Sequence, residues 1–355
     1  MRPSEDPLEE WALHCRGASI SLDSSGAPAP YGERWWKDLE VPDHSDEAES
    51  EEALRDVLSS HYSVERERIA LTAGAQHADF LFLLTKAGPD DVVAVESPTF
   101  MPIRQQADMV CRSMTVRRDP DRDFLLHEDD LNEARRRGAI ALVLTNLHNP
   151  SAAQMSDDEL SAIIEGAERH GIQVLVDEVY REMSYGMPSA PAFALGEMSC
   201  SVSSVTKLNG LRSLRVGWLI GPEETARRVE QARLLSSYRL PSRNLVLAAE
   251  AVRRQSWFRE RVLRKASKNI PVLYEWLQNE ERVSCPMPDG ALMVLLQLPL
   301  GVDDLAFSEE LLRSGVAVGP GRFWGAPGAI RITFSCSPRQ LAEGLAAVSG
   351  ALDCL

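Results

Sequence analysis

A lone lysine with hydroxyl side chains before it and an arginine after it, in SSVTKLNGLRSLRVGW (Ser203 to Trp218), has the parts to hold a carbonyl compound. A lysine amine becomes a nucleophile when desolvation or a nearby cation lowers its pKa, and it then forms Schiff bases with carbonyls. Lys207 has apolar runs on both sides, with Arg212 and Arg215 close in sequence. Ser203, Ser204 and Thr206 offer hydroxyls, and the planar fork of Arg215 matches a phosphate with two parallel hydrogen bonds. Together these groups suit a phosphorylated aldehyde. A loop lysine taken alone is ordinarily a surface charge, so other stretches must supply the rest of such a site.

Several stretches qualify. LTAGAQHADFLFLLTKAGPDD reads as a strand end, a glycine turn at Gly74 and an amphipathic helix. The free amides at its start, from Ala75 and Gln76, can hold a phosphate; an ordinary βα turn is the plain alternative. VLVDEVYREM places Asp177 at the end of an apolar strand, where a carboxylate is costly unless paired, so it should face a cation or serve as a helix cap. Arg331, within the apolar run AIRITFS, needs an anionic partner: a substrate carboxylate or a buried salt bridge. Phe100 in ESPTF falls just beyond a strand, where core packing is the usual role. Asn149 in TNLHNPSA belongs to an N-P pair that otherwise marks a turn.

The elements that must position these residues follow from periodicity. From about Ala70 onward, short β-branched runs alternate with helical patterns, which predicts an α/β fold with a mostly parallel sheet flanked by helices. Strands are expected at VVAVE (Val92), IALVLTN (Ile140), IQVLVDE (Ile172), CSVSS (Cys200) and LRVGWLIG (Leu214). Helices are expected at TFMPIRQQADM, at SDDELSAIIEGAERHG with a capping box from Ser156 to Glu159, and at PEETARRVEQARLL with Pro222 in the first turn. Only about ten residues separate CSVSS from LRVGWLIG, too few for a helical crossover, so that pair is expected to be antiparallel and the sheet mixed. The composition shifts at RVSCPMPDGALMVLLQL, and strand and helix signals through to a final helix from Pro338 predict a smaller α+β C-terminal domain. The expected division is an N-terminal segment over 1–45 packing with the small domain, a large domain over 46–255 with its boundary near Gln255, and a small domain over 256–355. The acidic run from Asp43 to Glu52 reads as a solvated linker or helix start.

Composition narrows the partners. The 355 residues carry 38 basic and 53 acidic side chains, a formal net charge of −15 that repels polyanions and disfavours nucleic acid or an anionic membrane. The 6 cysteines contain no C-x-x-C pair and the 7 histidines no H-E-x-x-H, so neither a disulfide framework nor a metal site is expected. No apolar run approaches the ~18 residues that span a bilayer, and the N-terminus lacks an apolar signal core, so the expected location is cytoplasmic.

The motifs together, in order and at these spacings from about Ala70 to Phe334, resemble those of class I/II aminotransferases, the fold-type I pyridoxal-phosphate group. The resemblance implies that Lys207 carries pyridoxal 5′-phosphate and that Gly74, Ala75, Gln76, Ser204 and Arg215 surround its phosphate. It further implies that Phe100 stacks on the ring, that Asn149 and Tyr180 hydrogen-bond its 3′ oxygen, that Asp177 pairs with its ring nitrogen, and that Arg331 holds the substrate carboxylate. Lys207, Asp177 and Tyr180 would be catalytic. The implied activity is transfer of an amino group from an L-amino acid to a 2-oxo acid, by a homodimer. Elimination, cyclisation or oxidation by an enzyme of the same fold is the alternative, and a regulatory module without turnover is disfavoured by charge. The chain departs from the pattern in places. His44 or Ser45 stands where a tyrosine usually reaches the partner's phosphate, Ser50 replaces a glycine, and N-P-T-G has become N-P-S-A with Ala152 in the glycine's position. Arg239 and Arg243 fall in a segment that approaches the partner's site in that family, although solvated helix-end arginines are the plain alternative.

Overall fold

Runs rich in Val, Ile and Leu become strands in the computed structural model, which describes residues 6–30, 35, 36, 39 and 46–355. The strands are β1 (Ile20–Ser21), β2 (Ile69–Thr72), β3 (Val92–Ser97), β4 (Arg112–Arg117), β5 (Ala139–Thr145), β6 (Gln173–Asp177), β7 (Cys200–Ser204), β8 (Gly217–Ile220), β9 (Met293–Gln297), β10 (Val316–Ala317), β11 (Gly319–Pro320) and β12 (Ala329–Thr333). Seven of them form one sheet in the order β2-β8-β7-β6-β5-β3-β4. β8 runs antiparallel to β2 and to β7, as the short link after Lys207 requires, and every other pairing is parallel. One edge of the sheet therefore collects the C-terminal ends of β2, β3, β5, β6 and β7 together with the start of β8. Open parallel sheets place their ligands at that edge.

Helices Ala75–Lys86, Met101–Val110, Asp157–Glu168 and Glu223–Ser236 flank the sheet. The third is fixed by the expected capping box: the Glu159 amide donates to Ser156 Oγ at 3.3 Å and the Ser156 amide to Glu159 Oε2 at 2.8 Å. Pro222 stands one residue earlier than expected, as the cap in extended backbone rather than in the first turn. Strand β4 has no counterpart among the expected elements, because its alternating sequence RSMTVR buries one face only, at the sheet edge.

Beyond the 25-residue helix Gln255–Asn279, the antiparallel sheet β11-β12-β9 packs with helices Asp304–Arg313 and Pro338–Leu352. Phe258, Val262, Ile330, Phe334 and Leu341 belong to the same apolar cluster as Leu71 and Leu81 of the large sheet region. Residues 22–28 run from the two-stranded parallel sheet β1-β10 to the loop after β7. The Leu22 amide donates to Ala317 O at 2.8 Å, and the Ala27 amide donates to Lys207 O at 2.8 Å. Among the described residues, no helix is long and apolar enough to cross a membrane.

The acidic run does start a helix, Glu47–Tyr62, capped by Asp46, but it is not solvated throughout. Glu51 is 2% exposed and accepts from Arg233 Nη1 at 2.9 Å, Arg239 Nη1 at 2.7 Å and the Leu240 amide at 3.2 Å. Arg239 is thus engaged with this buried carboxylate rather than free at a helix end. Glu51→Ala would leave the fully buried Arg233 with Glu230 as its remaining carboxylate partner. The expected loss of stability is about 3 kcal/mol, read from the urea midpoint, and a loss below about 1 kcal/mol would contradict this account of Glu51.

Candidate active site

The sheet edge brings the sequence candidates to one place. Ala75, Gln76, Phe100, Asn149, Asp177, Tyr180, Ser204, Lys207 and Arg215 all line a single cavity of about 100 Å3, together with Val179 and Thr206. A larger groove of about 460 Å3 lies elsewhere, around Ile69 at the far end of β2, and its Arg55 and Arg66 are paired with Glu52.

At one end of the cavity, helix Ala75–Lys86 begins behind Gly74, whose φ of 90° suits glycine alone. A Cβ on Gly74 would lie 2.7 Å from Arg215 Nη2, so the missing side chain is what lets the guanidinium lie against the helix start. Gly217 serves the same approach, since its Cβ would come within 2.6 Å of the Gly74 carbonyl carbon. Arg215 Nη2 donates to Ala73 O at 3.2 Å, just ahead of the first-turn amides that a helix leaves without internal partners. Positive dipole end, amides and guanidinium converge there, which makes an anion site.

Asp177 ends β6 and is 6% exposed. Its Oδ1 accepts the Val179 amide at 3.0 Å. Burial pushes its carboxyl up from 3.8 to about 6, against the pull of the Val179 amide and Lys207, with Glu96 adding to the rise. A cation in the cavity would stabilise the ionised form. Asp79, on helix Ala75–Lys86, is fully buried, with no partner for either carboxyl oxygen among the described residues, and burial together with Asp177 pushes its pKa well above the usual range.

Lys207 follows β7 and is half-buried. Its Nζ donates to Ser25 Oγ at 3.3 Å and lies 5.3 Å from the centre of the Tyr180 ring. The Tyr180 hydroxyl donates to the same Ser25 oxygen at 2.7 Å. Phe100 caps helix Met101–Val110 and is half-buried at the cavity wall. The turn carrying Asn149 is held from below. The Asn149 amide donates to Thr145 Oγ1 at 3.1 Å, and Thr145 donates in turn to Glu96, which Arg118 Nε meets at 2.6 Å in a fully buried pair. Ala152 adopts left-handed backbone with φ 64°, a conformation that costs a non-glycine residue about 1 kcal/mol.

Arg331 does not line the cavity itself but stands behind Asn149. Its Nη1 donates to Asn149 Oδ1 at 3.2 Å and its Nη2 to Asp23 O at 2.8 Å, and its guanidinium carbon lies 4.0 Å from the centre of the Trp324 ring. These hydrogen-bond partners are neutral, Nε has none, and burial lowers its pKa to about 10. Among the described residues, no salt bridge holds it. Sequence reasoning missed Ser25, Asp79 and Trp324. Ser25 stands in the polar stretch SLDSSGAPAPYG, outside every motif named above. His44 and Ser45 lie outside the described residues.

Residues 39–348 match the family described as aminotransferase class I and II. The chain belongs to that family. Its cofactor is accordingly pyridoxal 5′-phosphate. The chain is 26% identical to an aspartate aminotransferase of Thermococcus kodakarensis over 85% of its own length and 78% of that protein's. It is also 26% identical to nicotianamine aminotransferase B of Hordeum vulgare, over 64% of its length but only 44% of the relative's. A solved structure of a PLP-dependent aminotransferase from Streptococcus suis superposes with a TM-score of 0.88 at 21% identity, covering 100% of this chain and 99% of that one. Three features of this chain's own residues fit the cofactor: the anion site at Gly74 and Arg215, the buried Asp177 that a ring cation would neutralise, and the amine of Lys207 in the same cavity.

Proposed function

We propose that this cavity holds pyridoxal 5′-phosphate and that the protein moves an amino group from an L-amino acid to a 2-oxo acid. The observation that carries the proposal is the lining of one cavity by both Asp177 and Lys207, which stand at the ends of neighbouring strands β6 and β7. When bound, the cofactor ring supplies a sink for the electron pair released at the substrate α-carbon. Arg215 and the Ala75 and Gln76 amides would hold its phosphate, with Ser204 beside them. Phe100 would flank the ring, Asn149 and Tyr180 would offer hydrogen bonds to its 3′ oxygen, and Asp177 would keep its nitrogen cationic. Lys207 would hold the aldehyde group at rest, and as a free amine would take the proton from the substrate α-carbon.

Arg331 would receive the substrate carboxylate through its fork, turning one nitrogen away from Asn149 to do so. Arg331→Ala is expected to raise KM for amino donor and 2-oxo acid alike by about 100-fold, since a charge-assisted pair contributes roughly 2–3 kcal/mol. An unchanged KM for both would remove Arg331 from the substrate site.

We further read residues 46–255 as the cofactor-binding domain, 256–355 as the small domain and 1–45 as a segment packing with the latter. The protein would act as a cytoplasmic homodimer on small molecules, without nucleic acid or membrane partners. Exposed Leu235 and Tyr238 support the dimer, because apolar side chains at one turn suit a protein contact. The deciding experiment is a visible spectrum of the protein with pyridoxal 5′-phosphate and a panel of L-amino acids, followed by addition of 2-oxo acids. The expected result is a visible band that an amino acid bleaches and a 2-oxo acid restores. Ammonia, or an unsaturated or cyclised product without amino exchange, would overturn transamination in favour of elimination or cyclisation.

A further inference from the structure

Ser25 lies far from every motif above in sequence, yet its Oγ is the common partner of the two groups closest to the chemistry. It accepts from the Tyr180 hydroxyl at 2.7 Å and from Lys207 Nζ at 3.3 Å, and the residue is 7% exposed. The strap that carries it is fixed at several points. The Thr333 amide donates to Leu22 O at 2.7 Å, Arg331 Nη2 to Asp23 O at 2.8 Å, and the Ala27 amide to the carbonyl of Lys207 itself at 2.8 Å. Gly210 is required for this contact, because a Cβ there would lie 2.7 Å from Ala27 O. The hydroxyl is therefore held in place by the backbone on both sides of it.

We propose that Ser25 is a positioning residue that couples the charge of Lys207 to the donor strength of Tyr180. A protonated amine only donates, so Ser25 must accept from Lys207, and a hydroxyl that accepts still has one proton to give. Once the Tyr180 proton turns towards a cofactor oxygen, the Ser25 proton replaces it in the bond between the two hydroxyls. The chain then runs Lys207 to Ser25 to Tyr180 in one direction, and each donor strengthens the next. Charged and titratable groups around this chain are Asp177 at the end of β6, Arg331 on β12, and Asp23 and Arg212, whose charges reach Arg331. Arg212 is tied to Ser24 on the same strap.

This role rests on the cofactor reading above and is tested on the loaded protein by spectroscopy rather than by turnover. In Ser25→Ala, Tyr180 becomes a weaker donor to the 3′ oxygen, so the nitrogen linking Lys207 to the cofactor keeps its proton to higher pH. The midpoint of the visible-band titration is expected to rise by about half to one pH unit, with the cofactor dissociation constant within about threefold of wild type. Ser25→Thr, which returns the hydroxyl, is expected to restore most of the shift. A midpoint that stays put or falls in Ser25→Ala overturns the role of Ser25 alone. Equal shifts in the alanine and threonine variants, or loss of cofactor from both, also overturn it, because side-chain volume would then be the cause. A wild-type protein that develops no band overturns the cofactor reading, and this role with it.

Discussion

Lys207→Ala is expected to fold normally, to bind pyridoxal 5′-phosphate without forming a covalent link, and to lose amino transfer by at least about 10^4-fold. The fold should survive because the side chain beyond Cβ has few structural partners: a 3.3 Å bond to Ser25 and the face of the Tyr180 ring. The backbone at this position is held independently, through the bond between Lys207 O and the Ala27 amide. Binding should survive in weakened form because the anion site at Gly74, Ala75, Gln76 and Arg215 and the carboxylate of Asp177 do not depend on the amine. The chemistry should not survive. Among the described residues lining the cavity, the other candidates for moving a proton at the α-carbon are a phenol and a carboxylate, each already committed to the ring in the proposed arrangement. Equilibrium dialysis, borohydride trapping and single-turnover amino exchange separate these outcomes. Turnover within about tenfold of wild type would take Lys207 out of the mechanism.

The sheet was legible in the sequence because parallel strands buried on both faces read as unbroken apolar runs, as in β5 and β6. The antiparallel turn-back of β8 followed from chain length alone, since about ten residues cannot carry a crossover. Edge strand β4 was not legible: its charged, alternating residues carry half the apolar signal of its neighbours. The same limit applied to the site. Lys207, Asp177 and Arg215 announce themselves because each is a charge beside an apolar run. Ser25 and Asp79 owe their interest to what folding brings near them, a contact across 182 residues in one case and complete burial without a partner among the described residues in the other. Glu51 shows the reverse error. A charge run looks solvated until one member of it meets a buried arginine from a distant helix.

Asp177→Asn should have opposite effects on stability and on catalysis. The folded chain holds the Asp177 proton up to about pH 6, against an ordinary value of 3.8, chiefly because burial penalises the carboxylate. A carboxyl with a raised folded-state pKa contributes its full stability below about pH 4 and loses it as pH climbs through 6, so at pH 8 the ionised group costs the cofactor-free protein about 3 kcal/mol. Asparagine has the same shape and no charge to bury. The variant without cofactor is therefore expected to be about 3 kcal/mol more stable than wild type at pH 8, with the gain vanishing towards pH 4. Glu178, raised to about 7 by burial next door, keeps its own pH dependence in both proteins and supplies an internal control. Catalysis should move the other way, falling by about 10^3-fold, because an amide cannot hold a cation on the ring nitrogen as a carboxylate does. Urea midpoints at pH 4 and pH 8, measured beside kcat, test both arms. An asparagine variant that is less stable at pH 8, or that keeps its rate to within tenfold, would mean that Asp177 is a structural turn residue and that its bond to the Val179 amide is its main purpose.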